Sequence, residues 1–146
     1  MSDLTLRYEY DASFHNPKLE RDDFNYLSVS VANARFSGEG GFWVQWQDVR
    51  EFAEALEKFP IMTDSPVVAQ WGFNMQEADD LILRIEVAPA DRRGNLLVRC
   101  EVADQHAPRE RVRASFLTNY PNVEAFRLNI LSHMDGDINR AVLAGQ

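Results

Sequence analysis

Only one cysteine, Cys100, occurs in 146 residues. That scarcity excludes an internal disulfide framework and a cysteine-based zinc knuckle. Long apolar runs are missing too. None approaches the roughly 20 residues that span a bilayer, so no membrane association is expected. The first residues, MSDLTLRYEYD, lack a basic segment followed by an apolar stretch. They do not read as a secretory signal, and cytoplasmic residence is the expectation. Positive charge is in short supply, with 15 Lys and Arg against 23 Asp and Glu and a net charge of -8. Phosphate neutralisation needs clustered Lys and Arg, so nucleic acid is not an expected partner. The negative balance keeps the chain soluble and can steer a basic protein toward it.

Catalytic and metal-binding motifs are also missing. The three histidines, His15, His106 and His133, form neither HExxH nor a His-x-His pair, so zinc has no sequence support. His133, Asp135 and Asp137 lie close together but lack calcium-loop spacing. No metal or cofactor is expected. No GxSxG elbow occurs, and the pairs Asp22–Asp23 and Asp79–Asp80 are adjacent residues whose side chains diverge. Cys100 alternates with Val98 and Val102 on one strand face. It is expected to be buried, as a small hydrophobe rather than a thiolate.

What remains is a chain that is 45% hydrophobic and 11% aromatic, able to bury a core as a single domain over 1–146. Alternation predicts strands over 4–10, 26–36, 42–46, 67–73, 81–88, 96–103 and 111–118. The glycines of SGEGG, 37–41, precede FWVQW rather than a helix, and no GK[ST] follows them. They read as a turn between antiparallel strands, not a phosphate loop. A helix is expected from Asp48, capped with help from Glu51, carrying the apolar stripe Val49, Phe52, Ala53, Leu56 and Phe59 and stopping at Pro60. A second starts near Pro121 with Val123, Phe126, Ile130, Leu131 and Met134 inward. Residues 11–25 read as a long loop, and 138–143 as a short turn or frayed helix. Short gaps favour antiparallel pairing. The expected fold is α+β: a mostly antiparallel sheet of six to seven strands with two helices on one face.

Register can be read as well. A turn over 91–94 places Ala90 opposite Asn95, Ile85 opposite Cys100, Glu86 opposite Arg99 and Arg84 opposite Glu101. A loop over 104–108 places Glu101 opposite Arg111 and Arg99 opposite Arg113. The outward face then alternates in charge, each pair contributing about 0.2–1 kcal/mol; it reads as a solvated face held by cross-strand pairs, the alternative being a planar polar surface that recognises a protein. Trp43, off the core parity, is expected to lie beneath the 11–25 loop, the alternative being an exposed anchor for a partner.

GFWVQWQDVREFAEALEKFP, GNLLVRCEVAD and RASFLTNYPNVEAFRLNI together resemble the WapI-type immunity proteins of bacterial polymorphic toxin systems and related small bacterial α+β proteins. The resemblance runs from Val29 to Leu131 and is carried by apolar spacing. It implies a non-enzymatic cytoplasmic protein that binds and blocks a cognate toxin, a basic toxin domain given the charge. Acidic residues exposed on the first helix, Glu51, Glu54 and Glu57, and the pair Asp79 and Asp80 are the expected partner contacts. The alternative is a small enzyme or ligand-binding domain whose site is assembled from His15, His106 and Asp104.

Overall fold

The computed structural model describes residues 1–9 and 24–146. The expected 11–25 loop, apart from its last two residues, lies outside the described residues, as do His15, the pair Asp22–Asp23 and any cover over Trp43. Among the described residues, eight strands and two α-helices follow in the order β1 (Asp3–Glu9), β2 (Phe24–Ala32), β3 (Ser37–Gln45), α1 (Trp46–Ala55), β4 (Val67–Gly72), β5 (Leu81–Pro89), β6 (Asn95–Asp104), β7 (Ala107–Asn119), α2 (Tyr120–Met134) and β8 (Ala141–Ala144). The class is α+β with antiparallel pairing throughout. The strands divide into two four-stranded sheets, ordered β3-β2-β1-β8 and β4-β5-β6-β7. The sequence suggests one sheet because alternation marks strands but not which of them pair across long separations.

Alternation does set the faces. Leu4 and Leu6 of β1, Leu27, Val29 and Val31 of β2, Leu83, Ile85 and Val87 of β5, and Val98, Cys100 and Val102 of β6 are all buried. The sheets meet along β3, and this corrects the turn reading of SGEGG. All three glycines lie inside β3, and the turn falls earlier, at 33–36. A Cβ on Gly40 would come within 2.6 Å of the Ala103 carbonyl in β6, so glycine permits the close approach of two backbones. A Cβ on Gly41 would strike the Tyr26 phenol, which lies across the bare backbone.

β8 is the strand absent from the sequence reading of 138–143. It pairs with β1 from Asp3↔Ala144 to Leu6↔Ala141. Four residues, AVLA, carry too little pattern to announce a strand. Thr118 and Asn122 donate to its Ala144 carbonyl at 2.7 and 3.1 Å, and the segment leading into it is held by His133, whose Nε2 accepts the Tyr8 N–H at 2.7 Å while Nδ1 lies 2.8 Å from the Ile138 carbonyl. That pattern requires a neutral ring with its proton on Nδ1. Both nitrogens therefore serve the backbone, joining α2 to β1 and to the approach of β8.

The helices complete the core. α1 begins at Trp46, with Gln45 at its N-cap and no side-chain cap, so the expected Asp48–Glu51 capping box does not form. Asp48 sits instead in the first turn, where its charge favours the positive end of the helix dipole. α2 starts where Asn119 accepts the Asn122 N–H at 2.9 Å. Phe52 ties the layers together, with its ring edge-on to Phe126 at 6.2 Å and to Trp71 at 6.5 Å. No helix among the described residues is long and apolar enough to cross a membrane.

Candidate partner groove

β4 is a six-residue strand at the margin of its sheet. It pairs with β5 from Val67↔Val87 to Gly72↔Leu81, and among the described residues no strand adjoins its other side. Such an edge presents backbone N–H and C=O groups to whatever lies alongside. Here a groove of about 360 Å³ lies alongside. One wall is Asp48, Glu51, Phe52 and Ala55, whose spacing of three and four places them on one face of α1. The other wall is Val68, Ala69, Gln70 and Trp71. Successive strand residues point to opposite faces, so four in a row share only their backbone edge. Phe52 and Trp71 are buried, Val68 is exposed, and the α1 rim is acidic.

Gln76 closes one end of the groove, on the turn from Phe73 to Asp80. The Phe73 N–H donates to the Asp80 carbonyl at 2.7 Å and the Met75 N–H to its carboxylate at 3.4 Å. Gln76 and Ala78 adopt φ of +53° and +51°, a left-handed conformation uncommon for residues other than glycine. Met75 and Phe73 are exposed at its tip.

The acidic residues singled out in the sequence therefore occupy different settings. Glu51 stands on the groove rim. Glu54 is exposed one turn further along α1, and neither has a salt bridge among the described residues. Glu57 lies past the helix end, 3.0 Å from Arg127, which also forks onto Glu124 and thereby lowers the Glu124 carboxyl below its ordinary range. Asp79 faces Arg109 at 3.7 Å, and Asp80 holds its own turn. Asp48, Val68 and Gln70 escaped the sequence reading because edge position is set by pairing distant in sequence.

The outer face of β5–β7 is different. Arg84↔Glu101, Glu86↔Arg99 and Ile85↔Cys100 pair as expected. The next hairpin is shifted by two residues: Glu101 faces Arg113, and Arg99 faces Ser115. The physical reason is a bulge after Ala103: the turn pairs Asp104 with Ala107, and residues 108–110 of β7 then intervene before Arg111 pairs with Ala103, which moves the register on by two. A two-residue slip preserves the faces, and Arg111 still reaches Glu101 at 2.6 Å while donating to the carbonyls of Leu81 and Pro108. Glu86 receives Arg99 at 2.9 Å and Arg84 at 3.2 Å, which holds its carboxyl below the usual range against the opposing effect of burial.

Of the residues of the enzymatic alternative, Asp104 and His106 come together, and His15 lies outside the described residues. The His106 N–H donates to the Asp104 carboxylate at 2.8 Å, closing the β6–β7 turn. Both line an open cleft of about 360 Å³ with Tyr26, Ser28 and Glu39. Burial, then the carboxylates of Glu39, Asp104 and Glu9, push the Tyr26 phenol upward. Its ring meets Trp43 edge-on at 5.4 Å. Cys100 is buried, and burial, then Glu101, push its thiol up to about 12.

No family model matches the chain, and no curated protein matches it in sequence. Among solved structures, it is similar to WHY3 from Arabidopsis thaliana, at 14% identity and a TM-score of 0.44, over 94% of this chain and 85% of that one. It is also similar to the plant transcriptional regulator PBF-2, at 13% identity and a TM-score of 0.46, over 93% and 79%. Likeness this distant bears on neither the family nor the activity of this chain.

Proposed function

We propose that the protein binds another protein rather than turning over a substrate. An extended, positively charged segment of the partner occupies the groove between α1 and β4. The open β4 edge beside the Asp48–Glu51 rim carries this reading. A segment added there gains backbone hydrogen bonds from the edge and places its side chains in register with the sheet. Its Lys or Arg residues meet Asp48, Glu51 and Glu54, while a small apolar side chain covers Phe52 and Trp71. A basic toxin domain, the partner implied by the sequence resemblance, is one protein of this class. The second reading, a ligand site at His106 and Asp104, is weaker because Asp104 is already engaged by its own turn.

A displayed library of extended nonapeptides tests the proposal, with selection at low and at physiological salt. Recovered peptides are expected to be basic, rich in β-branched residues and free of proline at alternate positions. Their binding is expected to fall at least tenfold in the Glu51→Lys, Glu54→Lys double variant. Acidic or helical peptides, or basic ones indifferent to that variant, would contradict it.

A further inference from the structure

The net charge conceals a sharp division. Residues 81–119 hold seven arginines against five acids, a net of +2, while the rest of the chain holds eight basic residues against eighteen acids, a net of -10. The positive excess is displayed on the outer face of β5–β7. Arg84, Arg99 and Arg113 surround a shallow depression of about 250 Å³ with Glu101 and Ser115. Arg99 and Arg113 are 59% and 75% exposed. Two carboxylates serve four arginines there: Glu86 joins Arg84 and Arg99, and Glu101 joins Arg111 and Arg113.

We infer that this depression binds a phosphate group as a dianion. The charge balance carries the inference. Four guanidinium groups and two carboxylates leave a residual charge of +2, which one doubly charged oxyanion neutralises. Donor supply agrees. Three guanidinium groups offer fifteen N–H groups, and hydrogen bonds among the described residues engage four of them: two on Arg84, one on Arg99 and one on Arg113. Glu86 and Glu101 hold those arginines on a rigid sheet, so little side-chain entropy remains to be lost when an anion arrives. Guanidinium matches oxyanions bidentately, and the Ser115 hydroxyl adds a donor. A tetrahedral group accepts from several directions at once, which suits three forks arriving from three strands better than a planar carboxylate does. The site touches the β4 groove only through the bond from Arg84 Nε to Gln70 Oε1 at 3.3 Å, and each reading can fail without the other.

The test is an NMR titration of the backbone and arginine Nε–Hε signals with inorganic phosphate, pyrophosphate and phenyl phosphate, at fixed ionic strength. Saturable shifts confined to Arg84, Arg99, Arg113 and Ser115 are expected. Response to all three probes assigns a terminal phosphate group, whether free or carried on a larger molecule; response to pyrophosphate alone assigns a free polyphosphate. Arg99→Ala and Arg113→Ala should each weaken binding at least fivefold, Arg99→Lys less, and the remote, exposed Arg140→Ala not at all. Non-saturating shifts, equal shifts from acetate or chloride, or equal loss in Arg140→Ala would overturn the inference.

Discussion

The two sides of the second sheet use charge in opposite ways. On the outer face of β5–β7, every acid in the lattice is paired: Glu86 and Glu101 each hold two arginines and are largely screened from water. On α1, beside the β4 edge, Glu51 and Glu54 are exposed and without a salt bridge among the described residues. Paired, half-buried charges position their neighbours and resist removal. Solvated, unpaired ones contribute little to stability and remain available to a partner. Identical side chains are thus structural on one side and, in the proposed function, recognition elements on the other. A net charge of -8 describes neither.

Removing a paired carboxylate should cost the most. Glu101→Ala strips Arg111 of its carboxylate, although that guanidinium side chain is only 12% exposed. Chemical denaturation should show a loss of about 1.5–3 kcal/mol, the range for hydrogen bonds to charged groups. Glu54→Ala on α1, measured in the same way, should change stability by less than about 0.5 kcal/mol. Equal costs at the two positions would erase the distinction.

Next comes His133→Ala, which leaves the Tyr8 N–H without its acceptor. A loss of about 1–2 kcal/mol is expected, together with faster amide exchange in β8 than in β6. Uniform acceleration across both sheets would argue against a local role.

A smaller effect concerns pH. The folded carboxyl of Glu86 is depressed by Arg99 and Arg84, so its contribution is present above its unfolded value near 4.3. It is lost as pH falls through the lower folded value. Glu86→Gln should therefore be less stable than the parent at pH 7, and the gap should close below about pH 4. A gap that widened in acid would reverse the sign of the argument. Smallest of all is the response of Cys100: the native protein should resist thiol reagents at pH 8 until it unfolds, because its thiol is buried and held protonated.

How far the sequence reached depends on the range of each interaction. Strand faces, the β5–β6 register and the α2 start were legible, because alternation, the 91–94 turn and Asn119-Tyr120-Pro121 are local signals. The slipped β6–β7 register was not, because a bulge at Ala103 changes the count without changing the face. SGEGG misled because glycine serves both turns and close strand packing, and only the approach of Ala103 decides between them. β8 was missed because four residues pair with β1 from the far end of the chain. The candidate site divides in the same way. Glu51 and Glu54 were visible as polar positions on a helix, whereas the edge beside them exists only once β4 has β5 on one side and no strand among the described residues on the other.

Hydrogen–deuterium exchange of the protein, alone and saturated with a selected basic peptide, reports whether the β4 edge takes up the partner segment. Slowed exchange is expected at backbone amides of β4, Val67 to Gly72, with β6 and β7 unchanged. Protection confined to the arginine face, the Tyr26 cleft or the first sheet, with β4 unaltered, would contradict the assignment of the α1–β4 groove as the recognition site.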